Sequence, residues 1–532
     1  MSSSILLCAL NSTYQHAAFG LRYLRANLQE LKEQSQIIEY TISQSPLEIV
    51  EKILLLKPKI IGFGVYIWNT DEVFKVIRYL KQLSPEITIV LGGPEISYET
   101  EGQPHTQFCD YILKGEADFS FYKLCHDILS NQPLDHWKKI TSSSLPDIKA
   151  IQLPYDLYTD EDIQNRVLYV EASRGCPYKC EYCLSSLDTS VRNFSIDPFL
   201  AEMQKLIDRG AKQFKFVDRT FNLSPTISES ILVFFLKQID KELFLHFEMV
   251  PDRLPDNLKD LIKQFPEGSL QFEIGIQTLN DTVGSLISRR QNVSKMKENF
   301  YFLRHHTKVH THADLIVGLP AESLASFKTG FDQLIEWDPD EIQVGILKRL
   351  KGTPIVRHQS KFEMVYSDNT PFQIIKTKDL SFQDLQDMNR FSRFWDMIAN
   401  SGQFGLTMKF LKSSAQAENR SFFDLFFHLS QFLFRRHKGT FAISLINLME
   451  SVFIYLKDEL QMDSKEAAHL IYRDFCTRKK RDVPNYLKPY LDQKMNTMDT
   501  PLHPSHSTDK KASTDSLRKR QTNHSTYTSS LT

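Results

Sequence analysis

Three of the seven cysteines, Cys176, Cys180 and Cys183, share one short stretch at C-x3-C-x2-C spacing, just after a β-like run over 167–172. Three thiols so close together cannot all pair as disulfides, and Gly175 and Pro177 suit a loop that folds back on itself. Such a loop offers three soft ligands to one metal centre. Structural zinc and ordinary ferredoxin clusters take four protein ligands. Three leave one coordination position open for a substrate or cofactor. A Cys3His zinc knuckle, its histidine arriving from elsewhere, is the bland alternative.

The elements that must position this loop alternate between strand and helix on both sides of it. Over 1–135, β-rich runs at 5–9, 37–40, 60–66, 87–92 and 111–114 enclose helical patterns at 17–33, 46–56, 71–83 and 119–129. That rhythm predicts an α/β domain with a doubly wound parallel sheet. Ligands of such sheets bind outside the carboxyl ends of the strands, where strand order reverses. Those ends carry residues 11–16, then Gly62 and Gly64, Gly92 and Gly93, and Gly115 with Glu116. Glycines there let a large flat ligand approach the backbone.

Residues 136–165 have weak periodicity and predict a linker draped over the first domain. Over 166–355 the alternation resumes, with strands expected at 167–172, 214–218, 244–249, 270–277, 309–317 and 342–347. Six βα units suit an open partial barrel, and the cysteine loop follows its first strand, at the end where parallel barrels keep their chemistry. Residues 356–494 turn helical, with Phe- and Leu-rich patterns over 382–400 and 422–460. Residues 495–532 hold almost no core formers, which predicts a disordered tail in which Arg518-Lys519-Arg520 is a solvated charge run.

Strand side chains alternate faces. In 271–277, Gln271, Glu273, Gly275 and Gln277 fall on one face and Phe272, Ile274 and Ile276 on the other. His246 with Glu248, and His310 with His312 and Asp314, repeat the pattern. Unpaired buried charge is expensive, so a lumen lined this way holds a polar ligand. His310, His312 and Asp314 also superficially resemble the metal strand of a hydrolase, a reading the rest of the lumen does not favour.

The cysteine spacing, with Tyr182 just before the last cysteine, resembles the radical S-adenosylmethionine (SAM) family. In that family three such cysteines hold a 4Fe–4S cluster and SAM chelates the fourth iron. The phrase Leu91-Gly92-Gly93-Pro94-Glu95 followed by Lys114-Gly115-Glu116, ahead of such a loop, resembles the cobalamin (B12)-binding members. The resemblance implies a Rossmann-like cobalamin-binding domain over 1–135, a partial (β/α)6 radical SAM barrel and a C-terminal helical domain. It implies Cys176, Cys180 and Cys183 as cluster ligands, with Gly62, Gly64, Gly92, Gly93, Gly115 and Glu116 bordering cobalamin. Asp218, Glu248, Glu273, Gln277 and Asp314 would surround SAM, and Arg289 or Arg290, with Arg290 the one assigned, would bind its carboxylate. The implied chemistry is methylation of an unactivated carbon or phosphorus centre, after SAM cleavage to a 5′-deoxyadenosyl radical. Cobalamin domains that coordinate cobalt by histidine carry D-x-H-x-x-G. Around His16 the aspartate is absent and Gly20 is one residue late. Cobalamin binding without a histidine lower ligand is therefore expected.

Ring formation, rearrangement or another group transfer is the runner-up. A tRNA methylthiotransferase would need a second cluster from Cys8, Cys109 and Cys125, which read instead as core positions. The formal net charge of −1 creates no field toward nucleic acid or an anionic membrane. The greasiest run, 422–434, is broken by Asp424 and His428 and is too short to span a bilayer. The apolar run over 5–10 lacks a basic region before it. The expected setting is the cytoplasm, and the expected partners are a small-molecule substrate and an external electron donor such as flavodoxin or ferredoxin.

Overall fold

The computed structural model describes residues 4–477 and 481–491. The tail expected over 495–532 lies outside the described residues. Near-continuous apolar runs in the first part form strands buried on both faces. They are β1 (Ile5–Asn11), β2 (Ser35–Thr41), β3 (Ile60–Gly64), β4 (Thr88–Gly92), β5 (Tyr111–Lys114) and β6 (Ile140–Ser142). Their order is β2-β1-β3-β4-β5-β6 and every pairing is parallel. Helix Thr70–Leu83 buries Val73, Val76, Ile77 and Leu80, its i, i+3, i+4, i+7 stripe, on one face of the sheet with helix Pro46–Leu55. Helices Phe19–Ala26 and Asp118–Leu129 cover the other face. The chain reverses direction across the sheet between β1 and β3, so the crevice at their carboxyl ends is the switch point.

Two expectations for this part need correction. The stretch 136–165 is not only a linker, because β6 extends the sheet beyond β5 and helix Asp160–Asn165 follows with a Thr159 capping box. The helix expected over 17–33 ends at Ala26. Buried Asn27 donates its amide to Tyr23 O (2.9 Å) and Gln152 O (3.2 Å) and accepts from Gln152 N (2.9 Å). That amide fixes the 152 segment against the helix end, and a short 3-10 turn, Gln29–Gln34, replaces the last turns.

The second sheet contains β7 (Leu168–Val170), β8 (Gln213–Phe216), β9 (Phe244–Met249), β10 (Leu270–Gln277), β11 (His310–Val317) and β12 (Glu341–Ile346). These six strands are parallel and in sequence order, an open partial barrel. Open edges need cover. At the first edge, His16 of the N-terminal domain bridges Val167, and Val167 N donates to Gln15 O (3.0 Å). At the last edge, helix Phe382–Trp395 lies along β12. Ser392 Oγ donates to Val344 O (2.5 Å), Trp395 Nε1 to Ile342 O (2.7 Å) and Asn400 Nδ2 to Ile342 O (2.9 Å). Asn400 Oδ1 accepts from Ile342 N (3.2 Å).

Helices Gly405–Ala417, Phe422–His437, Leu445–Ile454 and Ser464–Cys476 complete the C-terminal domain. The run expected over 422–460 is thus two helices, broken at Lys438, which has φ 55°. A ring cluster of Phe331, Phe391, Trp395, Phe423 and Phe426 makes this domain's core continuous with the barrel's. Trp395 both fills that cluster and caps a strand carbonyl. Trp395→Phe is expected to lose about 1 kcal/mol, the net value of one hydrogen bond. Trp395→Ala is expected to lose about 3–5 kcal/mol through the cavity it leaves. Thermal or denaturant unfolding separates the two, and equal losses would show that the indole N–H, not packing, carries the contact.

Candidate active site

The cysteine loop is bent by Gly175, whose φ is +88° and whose Cβ position would lie 2.0 Å from Ser190 O. No other residue fits there. The bend lets Cys176 N donate to Asp188 O (3.1 Å), closing the loop, while Cys183 N donates to Cys180 O (3.1 Å). The three cysteines then line one cavity of about 80 Å³ with Glu248, Glu273, Gln277, Asp314, Arg219 and Arg289. Among the described residues no group of three or more His, Cys, Asp or Glu is disposed around a single ion, as zinc would require. Cysteines of a four-iron cluster each meet a separate iron and need no common focus. Burial pushes the Cys176 and Cys183 thiols up. The Arg219 charge opposes this, so a metal centre that displaces the protons relieves the burial cost.

Of the residues assigned to SAM from sequence, Glu248, Glu273, Gln277 and Asp314 converge here, and two do not. Arg290 is exposed, and its neighbour Arg289 enters the cavity instead, donating to Gly275 O and, at 3.4 Å, to Cys180 Sγ. Asp218 does not line the cavity. Its carboxylate accepts from Ala172 N (3.0 Å) and Ser173 Oγ (2.6 Å), fixing the start of the cysteine loop. The middle of the loop is fixed by Glu181, a residue sequence reasoning passed over. Its buried carboxylate meets Ser288 Oγ (2.7 Å), His358 Nε2 (2.7 Å) and the Arg357 guanidinium. Arg357 and His358 belong to the segment that leads into the C-terminal domain.

Beneath the cavity the polar faces of the strands form a paired network. His246 Nε2 meets Glu273 (2.9 Å), with Lys215 Nζ 3.6 Å from the same carboxylate. Burial opposes ionisation of Glu273, yet Lys215 and His246 hold its carboxyl well below the usual range. Burial and the Lys215 charge bring His246 down to about 4. His312 contacts Asp314 (3.3 Å), Glu341 (3.6 Å) and Gln343 (3.2 Å). Burial works against its charged form, but Asp314 and Glu341 push it up to about 10. His310 Nε2 lies 3.0 Å from Glu341, so both histidines of the suspected hydrolase strand are engaged with carboxylates. Lys215 was also missed, although it lines the chamber from β8 as Val217 and Arg219 do from just beyond the strand, and period-two counting finds it.

Gly62, Gly64, Gly92, Gly93, Gly115 and Glu116 all line a second cavity, of about 260 Å³, at the carboxyl ends of β3, β4 and β5. Gly93 has φ +100° and its Cβ position would lie 2.6 Å from Val65 O, so backbone itself forms this wall. Between the two cavities lies a chamber of about 450 Å³. It shares Arg219, Glu248 and Glu273 with the cysteine cavity, and Phe19, Gly64 and Tyr66 with the glycine cavity. His16 borders this chamber, its ring stacked on Tyr169 of β7 and its Nδ1 joined to the Tyr169 hydroxyl. Cys8 and Cys109 pack in the core on one face of the first sheet and Cys125 on the other. Burial raises the Cys8 and Cys125 thiols far above their ordinary value, and Cys109 to about 11.

A family model described as B12 binding domain matches residues 5–124, and one described as Radical SAM superfamily matches 170–334. The chain thus carries a B12-binding domain followed by a radical SAM domain. A third model, described as a protein of unknown function (DUF4080), matches 360–529 of this radical SAM protein. Among curated relatives, 2-(S-pantetheinyl)-carbapenam-3-carboxylate methyltransferase of Streptantibioticus cattleyicolor is 22% identical over 59% of this chain and 51% of its own. The cobalamin-dependent radical SAM methyltransferase TokK of Streptomyces tokunonensis is 22% identical over 57% and 48%. The radical SAM protein thus spans about half the length of these two relatives. The structure of the cobalamin-dependent S-adenosylmethionine radical enzyme OxsB with aqua-cobalamin bound has a TM-score of 0.59 at 13% identity, covering 91% of this chain and 83% of that one. That is a likeness of fold. No helix among the described residues is long and apolar enough to cross a membrane.

Glu322, after β11, has one close partner, Thr278 Oγ1 (2.6 Å), and burial raises its carboxyl to about 7. In the unfolded chain it titrates near ~4.3. The native state therefore holds this proton more tightly, and stability falls as pH rises between those values. Glu322→Gln is expected to match wild type near pH 4 and to exceed it by roughly 3 kcal/mol at pH 8. Parallel stability–pH curves for the two proteins would contradict the assignment.

Proposed function

We propose that the protein is a cobalamin-dependent radical SAM methyltransferase. Cys176, Cys180 and Cys183 would hold a 4Fe–4S cluster, with SAM beside it against Arg289, Gln277 and Glu273, and cobalamin in the glycine-lined cavity. The substrate is a small molecule carrying an unactivated carbon or phosphorus centre, and electrons come from an external donor such as flavodoxin or ferredoxin in the cytoplasm. The observation that carries this reading is the run of three adjoining cavities, cysteine-lined, central and glycine-lined, which share wall residues at each junction.

The residues present fit these groups. A Cβ at Gly115, on the wall of the glycine-lined cavity, would meet no atom within 4 Å, so the missing side chain leaves open space there. Arg289 Nε is buried without a partner, a donor suited to a carboxylate. When bound, the cofactors supply the radical and the methyl group, while the protein orients them and excludes water. Glu273, held ionised by Lys215 and His246, gives an acceptor for an ammonium group of SAM. Glu248, raised to about 7 by burial, can hold or release a proton at the chamber wall. Leu10, Phe19, Tyr66 and Trp68 give part of the chamber wall an apolar lining. The relatives' methyl-transfer activities support the reaction type.

Alanine at Cys176, Cys180 or Cys183 is expected to abolish iron binding and SAM cleavage in anaerobic preparations, while alanine at Cys109 leaves both intact. Stoichiometric zinc without iron in the wild type would overturn the reading. His16→Ala is expected to retain cobalamin with an almost unchanged absorbance spectrum. Imidazole hyperfine structure in the cobalt(II) resonance that vanishes in His16→Ala would instead make His16 the lower ligand.

A further inference from the structure

Arg174 lies two residues before Cys176, yet its side chain leaves the cysteine loop and forms part of the wall of the glycine-lined cavity. Its Nε is 2.9 Å from Glu171 Oε1, and its Nη1 is 2.8 Å from Glu116 Oε2 and 3.1 Å from Asp118 Oδ2. The guanidinium carbon stands 4.5 Å from the Tyr23 ring centroid and 5.6 Å from that of Phe194. Glu116, Asp118 and Tyr23 belong to the N-terminal domain, Glu171 and Phe194 to the barrel. One guanidinium thus joins the two domains, and Glu116, Asp118, Glu171, Tyr23 and Arg174 all line the same cavity. Its side-chain exposure is only 13%, so the charge is held by its partners rather than by bulk water.

Arg174 and the three carboxylates that hold it form part of the wall that a ligand in that cavity would meet. Asp118 Oδ1 is buried without a partner, so the ion cluster has an acceptor still to satisfy. Arg174 is adjacent to Gly175, so any shift of its backbone that follows the guanidinium reaches Gly175 through one peptide unit. Gly175 has no slack, because its φ is +88° and even a methyl group there would strike Ser190 O. A change in the cavity is therefore passed to Cys176 rather than absorbed before it.

We propose that Arg174 is a positioning residue that links the two cofactor sites: occupancy of the glycine-lined cavity sets the placement of the cysteine loop through the ion cluster of Arg174 with Glu116, Asp118 and Glu171. The inference rests on the cobalamin and cluster assignments above. Linkage is reciprocal, so cluster assembly must change corrin affinity by the same factor that corrin changes cluster affinity.

The test is an anaerobic absorbance titration of the full chain with hydroxocobalamin, with the cluster reconstituted and with iron removed. Cluster assembly is expected to lower the apparent Kd for hydroxocobalamin about five-fold or more. In Arg174→Gln and in Glu116→Gln the two titrations are expected to coincide within about two-fold. Glu116→Gln removes the carboxylate that Arg174 shares with Arg192, which also pairs with Asp188 at the close of the cysteine loop, while Asp118 and Glu171 keep the Arg174 charge paired, so it serves if Arg174→Gln does not fold. The resonance spectrum of the reduced cluster is expected to shift on adding hydroxocobalamin in wild type and not in Glu116→Gln. Wild-type binding that ignores the cluster, or linkage that survives Glu116→Gln, would overturn the inference and leave the proposed function standing. Wild type that binds no corrin would overturn the function itself, and this inference with it.

Discussion

A loop carrying three thiols has little of its own to hold it, and the rest of the structure answers that constraint. Between Gly175 and Cys183 the described elements include no regular helix or strand, and most of the loop's shape comes from buried ions at its flanks and centre. Asp218 from the end of β8 takes the N–H of Ala172 and the hydroxyl of Ser173. Arg174 reaches into the N-terminal domain, and Glu181 is gripped by Ser288, Arg357 and His358 on the C-terminal side. Leaving any of these charges unpaired in the interior would cost several kcal/mol, so each holds its partner in place. The position of the cysteines is thus a property of all three parts of the chain.

The open barrel depends on its neighbours in the same way. Its first edge is completed by the loop at His16 and its last by Ser392, Trp395 and Asn400. A six-stranded sheet left open would expose two rows of backbone groups. Covering them with the flanking domains brings the glycine-lined crevice of the first sheet against the barrel mouth, which creates the chamber between the cavities. The polar lumen beneath gives that chamber a charged floor, in which Lys215 and His312 face Glu273, Asp314 and Glu341 while His246 hydrogen-bonds Glu273.

Much of this was legible in the sequence because it is periodic or local. Alternation over 271–277 puts Glu273 and Gln277 on the lumen face, and glycines at strand ends mark Gly62, Gly92 and Gly93 as one wall. What was not legible depends on side-chain direction or on distant partners. Arg289 and Arg290 are indistinguishable in sequence, and only the turn after helix Asp281–Leu286 decides which one faces inward. Asp218 looked like a lumen acid, but the residues that claim it lie more than forty positions away, at Ala172 and Ser173. Strand β6 is three residues long, too short for a period to register, and it forms because β5 offers an open edge. Lys438 ends a helix by adopting φ 55°, a conformation that nothing in its side chain announces.

The account requires that cluster and corrin face one another across a single chamber. The measurement that tests this most directly is electron paramagnetic resonance of the anaerobically reconstituted full chain, loaded with cobalt(II) cobalamin and then reduced at the cluster. The account predicts a spin–spin interaction between the two centres, seen as splitting or accelerated relaxation of the cobalt signal on cluster reduction. Two signals that add as independent spectra, with unchanged relaxation, would contradict it.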